Sequence, residues 1–300
     1  MNKVIKVNDK TKEEMIKYYK DKMRDKKIPY VIFQAVDEDT VITMYESGKV
    51  MFQGKSADVD ASHWAMLEET TEQKPNTNDK KYYYVDAVGS DEVGTGDYFG
   101  PIVVTSSYVS KEDIPYLEEL GVGDSKKIDD EKIKKIAPLI AKKIKYKSLI
   151  LRNEEYNEKY GIGTNMNQIK AIMHNKVLYQ MMQEENPKID YIIVDEFAKE
   201  IRYYNYLKGI KNIQRGITFM TKAEDKNMAV ACSSIISRYI FLKEFDKMSD
   251  FYHIPFLKGA SRDVDKIGEE FVERYGEEKL KEVAKLNFKN TERVLHTLIY

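Results

Sequence analysis

Residues Val88 to Pro101 read VGSDEVGTGDYFGP and close an apolar run that starts at Tyr82. Two adjacent carboxylates, Asp91 and Glu92, share these fourteen residues with four glycines, Gly89, Gly94, Gly96 and Gly100. Neighbouring residues on a strand point to opposite faces, so adjacent acids do not normally serve one ligand. At a strand end that opens into a glycine-rich turn they can converge, and small residues let a second backbone come close. The pattern predicts a strand over Tyr82–Val88, an acidic turn, and a returning strand over Pro101–Val109. Such a turn suits metal-assisted chemistry on a phosphate backbone. The plain alternative is a turn with a helix cap.

The rest of the larger part alternates strands and helices. Asp130–Ile144 is basic and amphipathic, with Pro138 expected to kink or break it. Tyr146–Leu151 reads as a strand. Asn167–Glu185 carries Ile169, Ile172, Met173, Val177, Leu178 and Met181 at helical spacing. Tyr191–Asp195 (YIIVD) is a continuous apolar strand ending in an acid, the mark of a buried parallel strand. Asn227–Met248 is a helix whose first turns are small (AVACSS), suited to close packing. Asp265–Leu286 is a charged amphipathic helix. This order predicts an α/β sheet flanked by helices.

A polar stretch, residues 67–81, contains Pro75 and reads as a linker between residues 1–66 and 82–300. The first part predicts a helix over Lys12–Lys26, then strands at Val31–Ala35, Thr40–Tyr45 and Lys49–Gln53, with turns at 37–39 and 47–49. A helix and a small antiparallel meander leave one sheet face covered and one open.

In open α/β sheets, ligands sit beyond the carboxyl ends of the strands. Asp91 and Asp195 both stand there, and converge if their strands are neighbours. Glu224, just before the small-residue helix, is a third candidate. It could equally serve the helix dipole, and Asp225 beside it competes for the same role. Clustered carboxylates without cysteine or histidine point to Mg²⁺ or Mn²⁺. Two such ions about 4 Å apart can drive an in-line phosphodiester displacement.

Other chemistries fit less well. There is no P-loop, dinucleotide fingerprint, HExxH or nucleophile elbow. His63, His174, His253 and His296 are dispersed and read as structural or solvent-exposed. Cys232 is the one cysteine, so no intramolecular disulfide or cysteine-rich zinc site can form, and it reads as packed core. Mean hydropathy is -0.58 and charged residues make up 33%. With no apolar run of about 18 residues and no apolar leader, a cytoplasmic, water-soluble chain without a membrane span is expected. Net charge is -1, yet residues 1–30 carry ten Lys/Arg against five Asp/Glu, and residues 126–152 ten against three. Such patches can follow a phosphate backbone or be solvated helix faces.

Several of these segments together resemble one family. VGSDEVGTGDYFGP closely resembles the signature of the bacterial ribonuclease HIII family, a type 2 ribonuclease H. GVGDSKKI (121–128) looks like the family's DSK segment, VDEFA (194–198) like the strand with its third acid, and TKAEDKNMAVACSSIISRY (221–239) like the segment with its fourth. Residues 33–55 resemble its N-terminal TATA-box-binding-protein-like α+β domain, which ribonuclease HII lacks.

The resemblance implies an RNase H-like fold and endonucleolytic cutting of RNA in RNA–DNA hybrids, leaving 3′-hydroxyl and 5′-phosphate ends. It implies Asp91, Glu92, Asp195 and Glu224 as metal ligands, with Glu224 preferred over Asp225. Gly94-Thr95-Gly96 stands where ribonuclease HII has Gly-Arg-Gly at the ribose of an RNA–DNA junction. Thr95 in place of Arg implies a need for a run of ribonucleotides. The 2′-hydroxyls are reached in the wide minor groove, where Gly94, Thr95 and Gly96 are candidates for contact. Ser125 and Lys126 are candidates for phosphate contact. Two departures stand out: Asp225 where a glycine is more typical, and Ala-Cys-Ser-Ser (231–234) for a run of alanines. A monomer suffices. A DNA-cutting nuclease on the same fold and a non-catalytic nucleic-acid binder are the rival readings.

Overall fold

The computed structural model describes residues 2–24, 28–37, 40–54, 56, 57, 60–62, 64, 65, 79–122, 128–160 and 165–297. The chain divides into two compact units, Met1–Thr77 and Asn78–Tyr300. Most of the expected linker lies outside the described residues, and its last residues open a short 3₁₀ helix, Asp79–Tyr82.

The first unit is built on a four-stranded antiparallel sheet. Strand β1 (Asn2–Lys6) leads to α1 (Asp9–Tyr19), followed by β2 (Val31–Asp37), β3 (Thr40–Tyr45) and β4 (Lys49–Gly54), in sheet order β1-β4-β3-β2. The meander is as the sequence suggests. The edge strand β1 is an addition, a short polar segment (NKVIK) that takes its place by pairing with β4. The helix is shorter than expected. It starts at its Asn8 cap and passes through a 3₁₀ turn at Lys20–Lys22. There the backbone turns extended and Met23 bridges to Ala35. Met15 and Tyr19 pack on Phe33, Ile42, Met44, Val50 and Phe52, so α1 covers one face of the sheet. Trp64 donates to the Tyr19 hydroxyl at 2.9 Å inside that core.

In the second unit come β5 (Ala87–Val93), β6 (Ile102–Val109), α2 (Ile114–Glu119), α3 (Asp130–Lys143), β7 (Lys145–Leu151), α4 (Asn153–Tyr160), α5 (Met166–Glu184), β8 (Tyr191–Asp195), α6 (Glu200–Tyr206) and β9 (Ile217–Met220). Four helices follow: α7 (Met228–Tyr252), α8 (Arg262–Tyr275), α9 (Leu280–Val283) and α10 (Lys289–Thr297). The sheet is mixed, ordered β7-β6-β5-β8-β9. Strands β5, β6 and β7 pair antiparallel, while β5, β8 and β9 pair parallel. One face packs on α7 and α3, the other on α5 and α6.

Three expectations change. Pro138 does not break α3, because Ile133, Ile136, Ala137 and Ile140 form a buried stripe that holds the helix on the core across the missing amide. The expected helix over Asp265–Leu286 ends at Tyr275, where Gly276 takes φ 86°, and a 3₁₀ turn and α9 follow. The strand expected over Tyr82–Val88 runs over Ala87–Val93 instead, because the 3₁₀ helix occupies Asp79–Tyr82 and the ladder with β6 continues to Val93.

Candidate active site

That shift matters because Asp91 and Glu92 stand within β5, opposite Thr105 and Val104, rather than in a turn beyond it. Alternation then sends them to opposite faces. Ser90 and Glu92 meet α5: His174 Nδ1 lies 2.7 Å from the Ser90 hydroxyl and Nε2 lies 2.8 Å from Glu92 Oε2. Lys170 is ion-paired to the other oxygen of Glu92. Phe197, two residues past β8, stacks on the His174 ring at 5.4 Å and lies 4.2 Å under the Lys170 ammonium.

Gly89 and Asp91 face α7. A Cβ on Gly89 would stand 2.4 Å from the Val230 amide nitrogen, so only glycine admits the helix backbone here. The small residues of α7 use that proximity. Ser233 donates to the Gly89 carbonyl at 3.0 Å, Ser237 to the Asp91 carbonyl at 3.1 Å, and Ser107 of β6 donates to Ala229 at 2.7 Å. The helix start is fixed by Asn227, whose side chain accepts from Ala229 and Val230 and donates to the Tyr82 carbonyl.

Register brings the next acid alongside. Ser90 pairs with Val194 in the parallel β5–β8 ladder, so Asp91 and Asp195 follow side by side. Asp195 Oδ1 accepts the Ala223 amide at 2.9 Å, which ties β8 to the 3₁₀ turn Ala223–Asp225. Within that turn Glu224 is half-buried and Asp225 exposed. Asp91, Asp195 and the turn carrying Glu224 thus meet at one end of the sheet.

The electrostatics of the two neighbouring acids diverge. Burial pushes the Asp91 carboxyl well above the usual range, and the charges of Glu92 and Asp195 push the same way. The Ser234 hydroxyl and the Glu92 amide oppose this only in part. Burial would raise Glu92 too, but the hydrogen bond and charge of His174, with Lys170, outweigh it and hold the carboxylate low. Among the described residues no three His, Cys, Asp or Glu side chains are gathered tightly enough to hold an ion as they stand. The donor chemistry nevertheless fits a hard divalent cation. Asp91 and Asp195 offer only oxygen, and a divalent cation would relieve the charge crowding that raises Asp91.

The glycine turn sits beside these acids. Gly94 takes φ +93°, and a Cβ there would stand 2.1 Å from the Pro101 carbonyl oxygen. Around Gly96 the space is open, with nothing within 4 Å of an added Cβ, and Thr95 between them is half-buried. Ser125 and Lys126 lie outside the described residues.

The partners of Glu92 are what sequence reasoning missed. Lys170 and His174 are four apart and so share a helix face, but that spacing alone does not separate a carboxylate clamp from a solvated pair. His174 is fully buried against the acid rather than dispersed scaffold. Cys232 is buried core as expected.

A mixed sheet between helices, with carboxylates meeting at the ends of adjacent parallel strands, defines a nuclease of the RNase H-like class. Residues 88–291 match the family described as Ribonuclease HII, and residues 2–77 match one described as a domain of unknown function (DUF3378). The chain is 40% identical to ribonuclease HIII of Bacillus cereus, covering 98% of both chains, and 40% identical to that of Lysinibacillus sphaericus, covering 97% of this chain and 98% of the other. The crystal structure of Bst-RNase HIII in complex with Mn²⁺ superposes with a TM-score of 0.72 at 36% identity, covering 99% of each chain. The chain belongs to the ribonuclease HII family, in its ribonuclease HIII branch. It is a metal-dependent endonuclease of the ribonuclease H kind, acting on RNA–DNA hybrids.

Proposed function

We propose that Asp91, Glu92, Asp195 and Glu224 hold one or two Mg²⁺ or Mn²⁺ ions, and that the chain uses them to hydrolyse the RNA strand of a hybrid. The observation that carries this is the β5–β8 register, with Asp91 beside Asp195 and Asp195 bonded to the turn of Glu224. A bound divalent ion supplies Lewis acidity for in-line attack of water on the phosphodiester. The protein's part is to fix the acids. Lys170 and His174 hold Glu92 ionised and oriented, and the Ala223 amide orients Asp195. Products carry 5′-phosphate and 3′-hydroxyl ends.

In this reading Gly94, Thr95 and Gly96 face the ribose. Support comes from Gly96, where nothing lies within 4 Å of an added Cβ, so a ribose has room to approach the backbone. Thr95 offers one hydroxyl and no charge, which fits substrates with several consecutive ribonucleotides. Ser125 and Lys126 contact phosphate, and residues 1–66 form a substrate-binding domain whose sheet face away from α1 extends the grip on the duplex. The enzyme works as a cytoplasmic monomer.

Asp91→Asn tests the reading. It removes a charge without changing size, and is expected to lower the hydrolysis rate by at least ~10³-fold with hybrid binding retained by fluorescence anisotropy. Mn²⁺ is expected to raise the melting temperature of the native chain and leave that of the variant nearly unmoved. Undiminished cleavage in the variant, or preferential cutting of double-stranded DNA by the native enzyme, would sink the proposal.

A further inference from the structure

Lys285 is fully buried, with an exposure of 0%. Its ammonium reaches no carboxylate oxygen among the hydrogen bonds of the described residues; it donates to the carbonyls of Asp97 at 2.8 Å and Gly100 at 2.5 Å. Its chain neighbours Val283 and Ala284, and Tyr98 and Phe99 of the segment it bonds, belong to an apolar cluster, and a methionine of similar length would suit so buried a position better. Burial draws the lysine down to about 7, against the pull of the Asp97 carboxylate. A cation kept in such a place without a hydrogen-bonded counter-ion costs stability, so its use is to be sought in what its donors hold.

They hold the segment that follows the glycine turn. Asp97, Tyr98 and Gly100 are each fastened to the C-terminal part of the unit. Tyr98 N donates to Gly259 O at 2.8 Å, Gly259 N to Asp97 Oδ1 at 2.6 Å, Lys285 N to Tyr98 O at 2.9 Å and Gly100 N to Val283 O at 2.9 Å. These four bonds do not use the Asp97 and Gly100 carbonyls, and the Lys285 ammonium takes both. The Asp97–Tyr98 and Gly100–Pro101 peptide planes are thereby turned inward, and the segment between β5 and β6 can be displaced only by breaking buried hydrogen bonds.

The geometry points to Lys285 as a positioning residue for substrate choice: it sets the Gly94–Gly96 turn for the ribose of the hybrid, resting on the reading of that turn given above. Its contribution is to hybrid recognition and not to the hydrolytic step, which belongs to acids on the strands.

The test is Lys285→Met in the full-length chain, which keeps the volume and removes the donors. KM for an RNA–DNA hybrid is expected to rise roughly tenfold with kcat within about twofold. The affinity ratio of hybrid over DNA duplex of the same sequence should fall by a similar factor. A loss of packing alone would lower stability without moving that ratio. Unchanged KM and ratio, or a loss confined to kcat, would overturn the assignment. Should the methionine variant not fold, Asp97→Ala decides. It cuts the Gly259 bond at the same segment and is expected to shift KM and the ratio in the same direction; no shift refutes the role. Gly96→Val distinguishes the two levels. If it leaves the hybrid preference intact, the ribose-facing reading of the turn falls, and Lys285 with it. If it removes the preference while Lys285→Met does not, only the role of Lys285 falls.

Discussion

Two carboxylates adjacent in sequence do different work because each answers to a different surrounding. Glu92 is held ionised by a lysine and a histidine, whereas Asp91 is crowded by acids and has no such partner among the described residues. That both acids are candidates for one site was legible in the residues. Their placement inside the strand was not, because an apolar run reveals where burial ends and not where backbone pairing ends. Asp91 and Glu92 continue the ladder opposite Thr105 and Val104, where pairing needs no apolar side chain. Lys285 was equally invisible, since one lysine among forty-nine basic residues has no mark in sequence. Its burial makes a distinct pH signature. The folded chain releases the Lys285 proton near 7, whereas the unfolded chain keeps it to about 10.5. Between those values the unfolded state binds more protons, so stability rises with pH through this group. Denaturation of native and Lys285→Met proteins at pH 7, 8 and 9 should show the native chain gaining on the variant, by at most about 1.4 kcal/mol per pH unit. Parallel curves would contradict the burial of a titrating amine.

At the level of elements, the central device is α7 pressed onto β5 and β6. The run of small residues predicted close packing, and Ser233, Ser237 and Ser107 turn it into hydrogen bonds as well as contact. The spacing has no slack at Gly89. Gly89→Ala is expected to destabilise the second unit by about 1–3 kcal/mol, measured by urea denaturation, and to lower activity by moving Asp91 with its strand. A variant as stable as the native chain would mean that helix and strand separate at little cost. Helix α3 shows why local rules misled: a buried isoleucine stripe outweighs one missing amide bond. Strand β1 and helix α6 escaped notice for the opposite reason, since each is too short and polar to carry a period of its own.

For the molecule as a whole, the division into two units has a kinetic reading. Residues 1–77 hold their own core, formed by Met15, Tyr19, Phe52 and Trp64 among others, and none of the acids assigned to catalysis. Removing them is expected to raise KM for hybrid on the order of 10²-fold by loss of a second attachment, with kcat changed far less. A truncated enzyme with native KM would refute the substrate-binding role. The helix–sheet plan of this unit was readable because its strands are bounded by turn residues.

The sheet also partitions how the enzyme can change. Because Glu92 is governed from α5 and Asp91 from α7, damage to the two acids is repaired through separate parts of the chain. Second-site revertants of a weakened Glu92 should cluster around Lys170, His174 and Phe197, and those of a weakened Asp91 around Ser234 and Ser237. Two neighbouring letters of the sequence are thus expected to be repaired independently, according to which side of one strand each of them faces.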